Sequence, residues 1–308
     1  MPSLVTHYLF CKHYSPSEDK RELLGSQGPD PLFYYAYTRP FEENGKKIRK
    51  FGTYLHEKDP FTTLSLMLDY LKLEDDKLKQ ECLMHYILGF AKHYALDRIA
   101  HPYIFYKTGF VTKDGENAST FSYYHSLMET YIDVLVADHY QEKIDYKAIL
   151  DLNDEDLLTI SKMYFFISQK LGEKYLEIDT FYQAVKDMRF ITNAINSTHR
   201  GIRKKIFSKL FNKSIINAMS HPLKKDIPNK DFLNLEKKDI HSCVSDEIIN
   251  NHNFYELMND AGTYYVSLHE SIEKAYRGDK LSLENIINHV QFDGVKVGDK
   301  MKYYSLIF

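Results

Sequence analysis

Apolar positions recur at intervals of three and four from about residue 60 to the C-terminal region, the rhythm of amphipathic helices with one buried face. "PFTTLSLMLDYLKLE" starts such a run at Pro60, and "KLKQECLMHYILGFAKHYALDRIAH" follows, with Pro102 marking its expected end. "YYHSLMETYIDVLVADHYQEK" predicts a third helix, and "DEDLLTISKMYFFISQKLGEKY" a fourth. A fifth spans residues 179–211, and "NFYELMNDAGTYYVSLHESIEKAYRGD" is a sixth, stopped by Gly278. The segment 15–60 reads as irregular, with Pro16, Pro29, Pro31 and Pro40. Residues 218–245 are polar and proline-punctuated, which predicts a long loop within the same body. The tail "VQFDGVKVGDKMKYYSLIF" alternates weakly, as a small hairpin or extended strand would. Helix after helix with few strand signals predicts an all-α fold, a multi-helix bundle forming one helical domain over residues 1–308.

Composition adds little to that picture. The chain has 308 residues, 44% apolar and 27% charged, with a formal net charge of −3. Nothing in that balance points to nucleic acid, and no aromatic-basic stacking run is present. Tyrosine and phenylalanine number 25 and 19, while tryptophan is absent. Cys11, Cys82 and Cys243 are an odd, scattered set, neither a disulfide framework nor a paired-cysteine metal site. The first twenty residues lack a basic stretch followed by an apolar run, and no window approaches the roughly 20 apolar residues of a membrane span. The expectation is a soluble, cytoplasmic protein.

One stretch changes the picture. In "GFAKHYALDRIAHPYIF", residues 89–105, His93, Asp97 and His101 follow one another at steps of four. Each such step turns only about 40° around a helix, so the three side chains stack along one ridge. The positions between them are mostly apolar, so the ridge is buried, and buried imidazole and carboxylate need partners. A hydrogen-bond ladder would serve, and so would a metal. "HSLME" repeats the spacing with His125 and Glu129. Two such pairs on neighbouring helices favour a metal, with nitrogen and oxygen donors suited to zinc. His85 lies two steps before His93 and reads as a packed histidine near the site. Asp138-His139 reads as a solvated helix end.

The motifs "THYLF", "GSQGPDPLF", "GTYLHEKDP", "GFAKHYALDRIAHP" and "HSLMETYID", in this order over residues 1–135, resemble the zinc-dependent bacterial phospholipase C family, related to single-strand-specific zinc nucleases. Residues 136–308 resemble it only as continued helices. The resemblance implies a helical fold of the phospholipase C type, with a metal cleft between helices and two or three zinc ions as cofactors. It implies that His93, Asp97, His56 and Asp30 hold a first ion, and that His101, His125 and Glu129 hold a second. Asp97 would bridge toward a third, which His7 would also hold. Asp30 would be the catalytic residue that orients or deprotonates the attacking water. The implied substrate is a phospholipid or another phosphodiester, and activity should fall in acid as imidazoles protonate.

Two alternatives stand beside that expectation: a non-catalytic, metal-stabilised helical protein that binds phosphate-bearing ligands, and a nuclease-type phosphodiesterase. "HRGIRKKIFSKLFNK", residues 199–213, is a basic amphipathic segment. It suits peripheral contact with an anionic membrane, or equally a bundle helix with a charged outer face.

Overall fold

The computed structural model describes residues 4–14, 18–39, 41–109, 118–196 and 220–302. Among them are ten α-helices and one two-stranded sheet. The helices are α1 (Leu4–Tyr14), α2 (Lys20–Gly25), α3 (Gly45–Glu57), α4 (Pro60–Leu73), α5 (Lys77–Thr108), α6 (Ala118–His139), α7 (Asp154–Lys170), α8 (Thr180–Asn196), α9 (Phe254–Tyr276) and α10 (Lys280–Ile287). Three short 3-10 turns, at Asp30–Tyr34, Ala148–Leu150 and Lys224–Asp226, punctuate the connections.

The long central helix α5 organises the rest. Its 32 residues are apolar over most of the circumference, and α1, α2, α4, α6, α7 and α9 all pack against it. Leu83, Tyr86, Ile87, Phe90, Ala91, Tyr94 and Ala95 are completely buried. A hydrophobic cluster runs without a break from Leu4 of α1 to Phe292 near the C-terminus. Burial of this helix extends to Lys92, whose ammonium is paired with Glu22 of α2 and lies 5.0 Å over the Tyr265 ring. A charge held so deep needs such a partner, because stripping its water is costly.

Two expectations are corrected here. Helix α5 does not end at Pro102 but continues to Thr108. Proline removes only one donor from the ladder, and the surrounding packing holds the last turn and a half in place. The segment 15–60 is not irregular, since it contains α2, the Asp30–Tyr34 turn and α3. In α3 the buried positions Ile48, Phe51, Gly52 and Leu55 keep helical spacing, but they sit among Lys46, Lys47, Arg49 and Lys50. A polar outer face diluted the apolar signal.

The predicted helices at 60, 77, 123, 154 and 253 are present, and the last begins with a capping box between Asn253 and Glu256. The fifth is seen as Thr180–Asn196; its remainder, with the basic segment 199–213, lies outside the described residues. Residues 220–239 carry only a short 3-10 turn, as expected of a loop, and then β1 (Ile240–His241) pairs antiparallel with β2 (Ile248–Asn250). In the tail, Val290 bridges Lys296 antiparallel, closing a small hairpin. No helix among the described residues is long and apolar enough to cross a membrane. All three cysteines are buried and free.

Candidate metal centre

His93, Asp97 and His101 share the expected ridge of α5, and α6 brings His125 and Glu129 against its last turns. Three more segments converge on the same place. His7 comes from the first turns of α1, Asp30 opens the 3-10 turn, and His56 lies in the last turn of α3. The eight residues form three compact groups whose donor atoms lie within 4.8 Å of one another: His7, His93 and Asp97; Asp30, His56 and His93; His101, His125 and Glu129. His93 is shared by the first two groups, and Asp97, with Oδ1 3.0 Å from His7 Nε2 and Oδ2 3.2 Å from His93 Nε2, also lies 3.6 Å from His101 Nδ1 of the third.

A glycine permits the closest approach. Gly28 has φ of +53°, and a Cβ there would lie 2.4 Å from the His93 ring. The chain "GSQGPDP" can therefore pass over His93 only with hydrogen at this position. Its carbonyl is held by the hydroxyls of Tyr86 and Tyr164, which donate to Gly28 O at 3.2 and 3.1 Å. Asp30, two residues on, is thereby delivered to His56 with Oδ1 3.2 Å from Nε2.

The hydrogen bonds on the far side of the imidazoles decide what the near side can do. His56 Nδ1 faces the Gly52 carbonyl at 2.8 Å, His93 Nδ1 the Ser26 carbonyl at 3.1 Å, and His101 Nδ1 the Phe292 carbonyl at 2.8 Å. A carbonyl only accepts, so each Nδ1 carries a proton and each Nε2 points inward, as a free lone pair wherever the ring is neutral. Inward lies a carboxylate in every case: Asp30 for His56, Asp97 for His93, and Glu129 for His101 at 3.4 Å. Lone pair against anion is repulsive, so each of these contacts calls for either a second ring proton or a metal ion between the two atoms. Donor atoms about 2.1 Å from a tetrahedral ion stand about 3.4 Å apart, close to these separations. Backbone carbonyls that orient ligating histidines are the usual outer support of such ions.

Burial sharpens the point. His7, Asp30 and His93 are at most 2% exposed, yet His7 Nδ1, Asp30 Oδ2, His93 Nε2, His125 Nδ1 and Glu129 Oε2 are buried without a hydrogen-bond partner. Unpaired polar atoms in such number are costly away from water. Burial pushes the His93 imidazole down to about 4 despite the pull of Asp97, so this ring stays neutral. Burial also lowers His125. His101 moves the other way: burial would lower it, but Asp97 and Glu129 raise it to about 9. His7 is raised, because Asp97 outweighs its burial. Burial would raise Asp97 and Glu129, but the surrounding imidazoles hold both well below the usual carboxylate range. The donor set is thus three carboxylates and five imidazoles, which suits a divalent ion.

The groups open onto a cleft of about 550 Å³, lined by all the candidate ligands except the more deeply buried His93. Phe33, Phe105 and Phe292 form apolar walls, and Glu57 and Asp293 add two carboxylates at its edge. Among the described residues no lysine or arginine lines it. Sequence reasoning missed the contribution of the C-terminal hairpin, whose Phe292 supplies both the carbonyl for His101 and a ring 5.0 Å from that of His56. The Asp293-Gly294 pair was a turn signal, but nothing in it announced a wall of this cleft. His85 belongs elsewhere, 3.5 Å from Glu22, and His139 stacks on Tyr255. Comparison with protein-family models, with curated proteins and with solved structures finds no match for this chain.

Proposed function

We propose that this protein is a zinc-dependent phosphodiester hydrolase of the phospholipase C type. The observation that carries the reading is the set of inward-facing imidazole Nε2 atoms opposed to buried carboxylates, beside a cleft that no lysine or arginine among the described residues lines. As it stands, that cleft would repel a phosphate. Divalent ions among the ligands would reverse its charge, lower the pKa of a coordinated water to about 7 and shield the phosphoryl oxygens. The three protein donors of the His101, His125 and Glu129 group would leave a fourth tetrahedral position for water or substrate, as in catalytic rather than structural zinc sites.

The chain's own residues then divide the work. Asp30 lines the cleft with Oδ2 unpartnered, so it can take a proton from water or hold that water in line with the phosphorus. Asp97, in contact with His7, His93 and His101, keeps the three rings in one arrangement. The phenylalanine walls exclude bulk water and accept the apolar part of a substrate. The volume falls within the roughly 300–1,000 Å³ of small-molecule sites, and suits a headgroup better than a polymer.

The test is direct. Protein purified without chelator should carry two or three zinc ions per chain by elemental analysis. It should release nitrophenol from a nitrophenyl phosphocholine ester, lose that activity on chelation and regain it with zinc. A fully loaded protein that turns over no phosphodiester, phospholipid vesicles and single-stranded DNA included, would refute the hydrolase reading and leave a metal-stabilised binding protein.

A further inference from the structure

The ridge of α6 does not end with its two candidate ligands. His125 and Glu129 are followed four residues later by Asp133, completely buried on the same face. Its carboxylate reaches across 128 positions of sequence to the start of α1. Val5 N donates to Oδ2 at 3.0 Å, and Thr6 N and Thr6 Oγ1 donate to Oδ1 at 2.7 and 2.6 Å. These are first-turn amides, which no carbonyl of their own helix can satisfy. A carboxylate at that end also complements the helix dipole. His7 is the next residue along.

Two neighbours hold this arrangement in place. His221 Nε2 lies 2.7 Å from Asp133 Oδ2, and the His221 amide donates to Asn196 Oδ1 at 2.9 Å. On the other side, Gln27 Nε2 donates to the Leu4 carbonyl at 3.2 Å, from the same loop that carries Asp30. Each residue of slip would turn α1 by about 100° and carry His7 away from Asp97. The register of α1 is therefore tied to the helix that supplies His125 and Glu129.

We infer that Asp133 is a positioning residue of the metal centre: through the first turn of α1 its carboxylate places His7 against Asp97. The inference rests on the metal-centre reading but not on the reaction assigned to it. It gives a role to a buried carboxylate that binds the first turn of α1 from so far along the chain.

The experiment compares wild type, His7→Ala, Asp133→Asn and the double variant by zinc content, by chelator competition and by the absorption of the cobalt-substituted protein. Asp133→Asn keeps the size but offers one oxygen fewer to the three α1 donors. It should weaken the same ion that His7→Ala weakens, by about 10–100-fold, and leave the others bound. The double variant should be no worse than His7→Ala, because both changes act through one group. Thr6→Val, which removes only the hydroxyl donor, should shift the same ion less, and serves if Asp133→Asn does not fold. Unchanged metal content and cobalt spectrum in Asp133→Asn and Thr6→Val, loss of all ions together, or additive effects in the double variant would overturn the inference. Wild type that binds no zinc would instead sink the metal-centre reading, and this inference with it.

Discussion

The two halves of the cluster are built by different means. The outer half, His101, His125 and Glu129, joins two helices, and its histidine side chains remain 15% and 11% exposed to the cleft. The inner half, His7, Asp30, His56 and His93, draws on α1, a 3-10 turn, α3 and α5; His7, Asp30 and His93 are buried, while the His56 side chain reaches the cleft with 19% exposure. Two facing helices can assemble the outer group from i, i+4 spacing alone. The inner group needs four segments to meet, and Gly28 to let two of them touch. The outer half thus follows from spacing within two helices, and the inner half exists only once four separate segments have met. Asp97 belongs to both, with Oδ1 3.0 Å from His7 Nε2 and 3.6 Å from His101 Nδ1.

The largest effect should come from breaking that shared member. Asp97→Asn should weaken metal binding in both halves by more than about 100-fold, beyond the usual cost of losing an outer-shell partner. Chelator competition reads this directly. Loss confined to one half would show that the halves are independent.

Gly294→Ala should separate them. Gly294 has φ of +77°, and a Cβ there would lie 2.5 Å from Pro102 Cγ and 2.7 Å from the Arg98 carbonyl. The hairpin must shift off α5, taking the Phe292 carbonyl from His101 Nδ1. Affinity in the outer half should fall about 10–100-fold. The inner half should lose less, since His56 and His93 are oriented by Gly52 and Ser26. Equal loss in both would place the hairpin's role in general packing.

Proton release gives the smallest and most diagnostic difference. In metal-free protein His101 titrates at about 9, above its unfolded value of about 6.5. Its contribution to stability is complete below about 6.5 and is lost as pH rises through 9. His93, at about 4, does the reverse. The unfolded ring gains a proton below about 6.5 while the folded one resists, so stability falls as pH drops from 6.5 through 4. Metal must expel the His101 proton, so outer-half affinity should rise about tenfold per pH unit up to 9, whereas His93 requires no such step above pH 4. Calorimetric titration in buffers of different ionisation heat should find the released proton, and pH-independent affinity between 6 and 8 would contradict it.

The outer group was legible in the chain because helical periodicity is local. His93, Asp97 and His101 on one ridge, and His125 with Glu129 on another, follow from counting by fours. Asp30, His56 and His7 stood in short motifs whose meaning came from a resemblance, and α3 was hidden by its own lysines. The carbonyls of Ser26, Gly52 and Phe292 left no trace at all, since every residue has one and only the fold chooses which imidazole it meets.

By itself, then, the order of residues determined the helices of the interior and the pairs of donors each helix presents, because both depend on contacts within a turn or two of chain. Tertiary structure alone decided that Asp30, His56 and His7 reach the same few ångströms as His93, and that a C-terminal hairpin orients His101. Those placements depend on close approach at Gly28 and Gly294 and on burial shared by segments far apart in sequence. No local pattern encodes a distance between residues that meet only after the chain has folded.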